Sequence, residues 1–158
     1  MRLGLIEVVF LAAAAVAAAT ALPRCSGAPH ALVVRASWTL TPGVLNAAVT
    51  QATIASTICR RGWTRTVRPP VSYTNALKER GLRQYGLRGP PSAYQEDHLI
   101  SLELGGNPVD PRNLWPEPYP RASQVDSIEN HLNALVCSRE ISLEEGQRRE
   151  SSLKHADG

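Results

Sequence analysis

The pattern of apolar and polar positions along this 158-residue chain changes character several times. Residues 3–22, "LGLIEVVFLAAAAVAAATAL", are almost uniformly apolar behind a single Arg2, with Glu7 the one charge inside the run. The run ends in Ala19-Thr20-Ala21, the small-x-small pattern of a signal peptidase site, so residues 1–21 are predicted to be a secretion signal cleaved after Ala21. A retained membrane anchor is the alternative, because the run is nearly long enough to span a bilayer; Glu7 argues against a stable span. Residues 22–36 carry Pro23, Gly27 and Pro29 and read as a flexible leader.

Further along, periodicity separates the elements. Residues 37–58 mix β-formers with a Thr/Ala-rich stretch and show no clean period, and a helix after Pro42 is one reading of them. "GWTRTVRPP" alternates and then stops at Pro69-Pro70, which predicts a short strand. "SYTNALKERGLRQYG" predicts a helix, capped by Ser72 or Thr74, with Ala76, Leu77 and Leu82 as its apolar face and Gly86 at its end. Short strands are expected at Tyr94–His98 and around Asn113-Leu114-Trp115, joined by a loop through Gly105-Gly106. Pro116, Pro118 and Pro120 argue against regular structure immediately afterwards. Val125, Ile128, Leu132, Leu135 and Val136 then recur at three- and four-residue steps, the stripe of an amphipathic helix. Residues 141–158 read as a charged tail with one more helical turn capped by Ser142.

Length allows one domain with a modest core, here residues 37–140. The elements order as α+β, with flanking helices around a small strand–loop–strand–helix core. Export would give the three cysteines meaning. Cys59 and Cys137 lie inside the patterned region and are predicted to form a disulfide, whereas Cys25 lies near the new N-terminus and is left free or intermolecular. The absence of any CxxC argues against a thiolate zinc site. Net charge is only +3, but residues 60–88 carry eight basic side chains against one acid, Glu79. Of these, Arg60, Arg61, Arg65, Arg68, Lys78, Arg80 and Arg83 are candidates for holding a phosphate backbone. A solvated basic face with no partner is the plainer alternative.

Candidate chemistry concentrates in "EDHLISLELGGNPVDPRNLWPEP", residues 96–118. Asp97 offers a hard oxygen ligand suited to Mg²⁺ or Mn²⁺. His98 titrates near neutrality and can take a proton from water. Adjacent strand residues point to opposite faces, so the two converge on one phosphate only at a strand end, bulge or turn. Gly105-Gly106 permits a tight return of the chain. Asn113 can brace that loop, since its amide both donates and accepts. Trp115 and Tyr119 read as hydrophobic plugs over the core rather than as base-stacking platforms.

The run "DHLISLELGGNPVDPRNL" resembles the HNH, or ββα-metal, nuclease motif. "TICRRGWTRTVRPPVSYTNALK" and "NLWPEPYP" extend the resemblance to a family of small exported bacterial proteins carrying such a core, over about Thr57–Cys137. The resemblance implies His98 as general base, Asp97 as metal ligand and Asn113 as the central motif residue of the catalytic set, with a structural role. A second ligand is implied on the following helix. No His stands at that position; Asp126 is the best-placed carboxylate, with Glu129 and Asn130 on the same face, while Ser123-x-x-Asp126 also reads as a capping box. Ser101 stands where many such motifs have Pro.

The resulting expectation is a secreted, metal-dependent nuclease hydrolysing phosphodiester bonds with little sequence specificity, on DNA ahead of RNA, with no stable membrane association after signal cleavage. Two alternatives stand beside it: a catalytically inactive scaffold that binds nucleic acid or another polyanion, and a secreted structural protein in which Asp97 and His98 merely stabilise a loop.

Overall fold

A computed structural model of the protein describes residues 33–157. The predicted signal, Cys25 and most of the leader lie outside the described residues. None of the described helices is long and apolar enough to cross a membrane. The architecture is α+β: a two-stranded antiparallel sheet packed among four helices and closed by one disulfide, Cys59–Cys137.

Strand β1 spans Tyr94–His98 and β2 spans Leu114–Pro118, with Tyr94 opposite Pro118 and His98 opposite Leu114. The first strand lies where its pattern predicts. The second runs on through Pro116 and Pro118, against the expectation that the prolines would end it. Register explains the difference. Leu99 N donates to Asn113 O at 2.8 Å and Tyr119 N to Ala93 O at 3.0 Å. Counting by two between these bonds makes Asp97–Trp115 and Gln95–Glu117 the hydrogen-bonded pairs. Pro116 and Pro118 therefore face Glu96 and Tyr94, where no strand N–H is required. Pro116 also nests on Gly81, where an added Cβ would lie 2.9 Å from the proline ring.

Before the sheet come α1 (Trp63–Val67) and α2 (Val71–Gln84). The first replaces the strand expected from alternation. Gly62, at φ 83°, reverses the chain, Trp63 N bonds Arg60 O, and the Thr66 hydroxyl bonds Trp63 O at 2.6 Å. These local bonds satisfy backbone that has no sheet edge to pair with, and five residues are too few for alternation to be decisive. Helix α2 starts one residue before Ser72 with Pro70 at its N-cap, so neither Ser72 nor Thr74 caps it; Thr74 bonds back to Val71 O instead. Leu77, Gly81 and Leu82 form its buried face. Gly86, at φ 64°, follows its end as expected.

After the sheet, α3 (Arg121–Cys137) buries Val125, Leu132 and Val136 as its periodicity predicts, leaves Ile128 and Leu135 half-buried, and also buries Ala122 and one acid, Glu129. Its first residue precedes Ser123, and no side chain caps it. The capping-box reading of Ser123 and Asp126 is thereby overturned: both lie inside the helix. Residues 141–157 are no tail. Helix α4 (Leu143–Ala156) occupies them, with Ser142 accepting from Glu145 N at 3.1 Å, and it buries Leu143, Gly146, Glu150, Lys154 and His155. Gly146 makes the α3–α4 approach close, since a Cβ there would meet Val136 at 2.8 Å.

Between Val33 and Arg61 the chain is mostly turns, with one 3-10 turn at Ile54–Ser56 and no helix after Pro42. This segment is held by tertiary bonds, among them Ala36 N to Lys154 O (3.0 Å) and Leu143 N to Gln51 Oε1 (2.7 Å). It supplies Val49, Ile54 and Ile58 to the larger apolar cluster, which Ile100, Leu104, Leu132, Val136 and Leu143 complete. A second cluster joins Ala36, Leu99 and Trp115.

Candidate functional site

The loop between the strands has one organiser. Asn113 is fully buried in a 3-10 turn (Pro111–Asn113), and its Oδ1 accepts from Ile100 N at 2.9 Å. Its Nδ2 donates to Ile100 O and Asn107 O, both at 3.0 Å. A single amide thus ties both limbs of the loop, and it does not line the cleft described below. The glycine pair has no substitutes. Gly105 sits at φ 80° with Val49 against its missing side chain. Gly106 lies so close to Ile100 that a Cβ would sit 1.7 Å from the carbonyl oxygen.

On one side of β1 opens a cleft of about 330 Å³. Its walls include Gln95, Asp97 and His98 from the strand, Asp126 and Glu129 from α3, and Arg68 from the turn after α1. Asp97 and His98 face it together because His98 ends the strand, where the chain bends away. The 3.6-residue period puts Asp126 and Glu129 one turn apart on the face of α3 turned toward β1. Gln95 Nε2 reaches Asp126 Oδ1 at 3.3 Å, and Asn130 donates to Asp126 O at 2.7 Å. One oxygen from each of Asp97, Asp126 and Glu129 falls within 4.8 Å of the others. Three oxygen donors at that spacing could hold a metal ion.

His98 is buried, and its Nε2 lies 3.1 Å from Pro108 O. A carbonyl only accepts, so Nε2 carries the proton and Nδ1 keeps the lone pair. Burial pushes the imidazole pKa below its usual 6.5; the Pro108 bond and the Asp97 charge oppose this, and Arg68 and Lys154 add to it.

The residue that sequence reasoning missed is Lys154. Its ammonium is fully buried, 2.7 Å from Asp97 Oδ2, 2.6 Å from Glu129 Oε1 and 3.4 Å from Glu150 Oε1, and it also donates to His98 O. Burial works to discharge it, but Asp97, Glu150, Glu129 and Glu117 outweigh that and hold its pKa well above the ordinary lysine value. Burial raises Asp97 too, yet the charge and hydrogen bond of Lys154, with help from Glu117 and His98, leave its pKa low. Glu129 goes the other way: burial lifts it well above 4.5, against the pull of Lys154. Glu117 is fully buried and accepts no hydrogen bond. Burial first, and then the Asp97 charge, push its pKa up to about 8. Glu150 accepts from Ser101 N at 2.9 Å and so joins α4 to the loop. A Glu and a Lys four residues apart on a charged helix look like a solvent-facing pair, which hid this role; nothing in the local pattern marks Glu117.

The basic residues scatter. Arg68 lines the cleft, while Arg60 and Arg61 line a neighbouring concavity of about 290 Å³ that meets the cleft at Glu103. Arg65 is exposed on α1. Lys78 is committed to structure, its Nζ donating to Tyr94 O at 3.1 Å. Arg80 belongs to a different cavity, shared with Glu96 across β1, and Arg83 is exposed on α2. Trp115 is wholly buried in the core as expected. Tyr119 is not a plug: it is 47% exposed, and its hydroxyl donates to Gln95 Oε1 at the cleft edge.

Comparison with known proteins finds no matching family model, no significantly similar curated protein and no significantly similar solved structure.

Proposed function

We propose that the cleft is the active site of a metal-dependent phosphodiester hydrolase of the HNH, or ββα-metal, kind, acting on nucleic acid with little sequence preference, DNA ahead of RNA, outside the cytoplasm. The observation that carries this reading is one cleft lined by a buried histidine, three carboxylates with oxygens within 4.8 Å of one another, and an arginine. Asp97, Asp126 and Glu129 would hold the ion, which in that position supplies charge neutralisation for a phosphodiester and its leaving oxygen. His98 takes a proton from water at Nδ1, while the Pro108 carbonyl keeps the ring oriented through Nε2. Arg68, at the cleft wall, pairs with a phosphate oxygen, and Arg60 and Arg61 extend the anion path past Glu103. Asn113 acts at one remove by fixing the loop from which His98 and Ser101 project.

A second reading, an inactive scaffold that binds polyanions without metal, is favoured by one observation. Lys154 already occupies one oxygen each of Asp97 and Glu129. Digestion of supercoiled plasmid with Mg²⁺ or Mn²⁺, and with chelator, separates the two. The nuclease reading predicts cleavage that chelator abolishes and that falls at least about 100-fold in His98→Ala. Undiminished cleavage in His98→Ala, or salt-sensitive DNA binding with no cleavage under any metal, contradicts it.

A further inference from the structure

Lys154 is placed as a counter-cation would be. It reaches from the last turn of α4 to touch two of the three candidate ligands, and both contacts are shorter than 3 Å. Its backbone is anchored as well, since Lys154 O accepts from Ala36 N at 3.0 Å. Each contact uses a single carboxylate oxygen: Oδ2 of Asp97 and Oε1 of Glu129. Asp126, which Lys154 does not touch, completes the set of three carboxylates whose oxygens lie within 4.8 Å of one another.

We infer that Lys154 is a positioning residue that sets the ion affinity of this centre. It holds Asp97 and Glu129 in fixed rotamers and cancels one unit of their charge, so that the site takes a divalent cation weakly. The inference rests on the metal-site reading above. Its physical basis is that a unit positive charge beside a divalent ion in a partly desolvated site opposes binding strongly, by far more than a factor of ten if nothing compensates. A tenfold change is the floor expected. A centre of this kind gains its remaining negative charge from the phosphate it works on, which is how Mg²⁺ sites with few protein ligands commonly operate.

The test is Mn²⁺ titration of the disulfide-bonded protein, followed by electron paramagnetic resonance, without nucleic acid. Wild type is compared with Lys154→Met, Lys154→Arg and Asp126→Asn. Lys154→Met is expected to bind Mn²⁺ at least tenfold more tightly than wild type. Lys154→Arg, which keeps the charge, is expected to stay within about threefold of wild type. Asp126→Asn is expected to lose binding. If wild type binds and Asp126→Asn does not, while Lys154→Met is unchanged or weaker, the role of Lys154 is refuted and the metal site stands. Equal tightening in Lys154→Arg also refutes it, because charge is then not the cause. Binding by Lys154→Met alone supports the role of Lys154 and removes the metal-dependent reading of the wild type; no binding by either removes both. Should Lys154→Met fold only with Mn²⁺ present, the inference is supported. Should it not fold at all, Lys154→Gln decides in its place, since its amide can still donate to Asp97 without the charge.

Discussion

Two regions a few residues apart solve the problem of buried polar groups in opposite ways. In the loop after β1, the Asn113 amide uses both its donors and its acceptor on backbone, and the glycines beside it leave no space unfilled. In the cluster around Lys154, one ammonium faces Asp97, Glu129 and Glu150, with Glu117 close behind. Both oxygens of Glu117 and one of Glu150 lack a hydrogen-bond partner. The fully satisfied Asn113 amide makes a rigid brace, although Ser101 Oγ and Glu103 Oε2 in the same loop lack partners. In the cluster, burial and neighbouring charge instead raise Glu117 and Glu129 while Lys154 keeps Asp97 low.

The sharpest way to break the comparison is to damage the rigid half. Gly106→Ala forces a methyl into the Ile100 carbonyl, and the expected loss is more than about 4 kcal/mol or failure to fold, read by urea unfolding. Tolerance of that change would mean the loop is not the rigid element described. Asn113→Ala leaves the N–H of Ile100 and two carbonyls without partners, and about 3 kcal/mol should be lost. Reduction of Cys59–Cys137, which closes a loop across 78 residues of sequence, should cost up to about 4 kcal/mol.

The charged half should reveal itself through pH. Glu96 and Glu117 hold their protons up to about pH 8 when folded, against an ordinary 4.5. The native state therefore binds more protons than the unfolded chain between those values, and stability falls as pH rises through the window. Between pH 6.5 and 8 each group contributes about 2 kcal/mol of that fall. Glu129 and Glu150, also raised, act in the same direction. Asp97 has the opposite sign, but its contribution is lost only as pH drops through its depressed folded value; His98 opposes only below 6.5. The melting temperature of the metal-free protein should thus decline from pH 6.5 to 8, and Glu117→Gln should flatten the slope. A rising or flat wild-type profile would contradict the assignment of neutral buried acids.

What the sequence disclosed follows the same division. β1 and the stripe of α3 were legible because period and punctuation agree there, and the Gly-Gly return was legible because only glycine suits it. The disulfide followed from counting cysteines inside the patterned region. Helix α1 was hidden because five alternating residues carry no information about whether a partner strand exists. The strand around Leu114 and Trp115 was legible, but its continuation through Pro116 and Pro118 was hidden because tolerance of those prolines depends on pairing register. Lys154 was invisible for a deeper reason. Its burial depends on where α4 packs, 57 residues along the chain from Asp97, and a Glu–Lys pair in a charged segment has the local signature of an exposed one.

The account's central claim is that His98 and the carboxylates act on one substrate from one cleft. The measurement that tests it most directly is plasmid cleavage rate as a function of Mg²⁺ concentration for wild type, His98→Ala and Asp126→Asn. The account predicts that His98→Ala lowers the rate without moving the Mg²⁺ half-saturation, whereas Asp126→Asn moves the half-saturation upward by tenfold or more. Identical Mg²⁺ dependence and rate in all three proteins would contradict it.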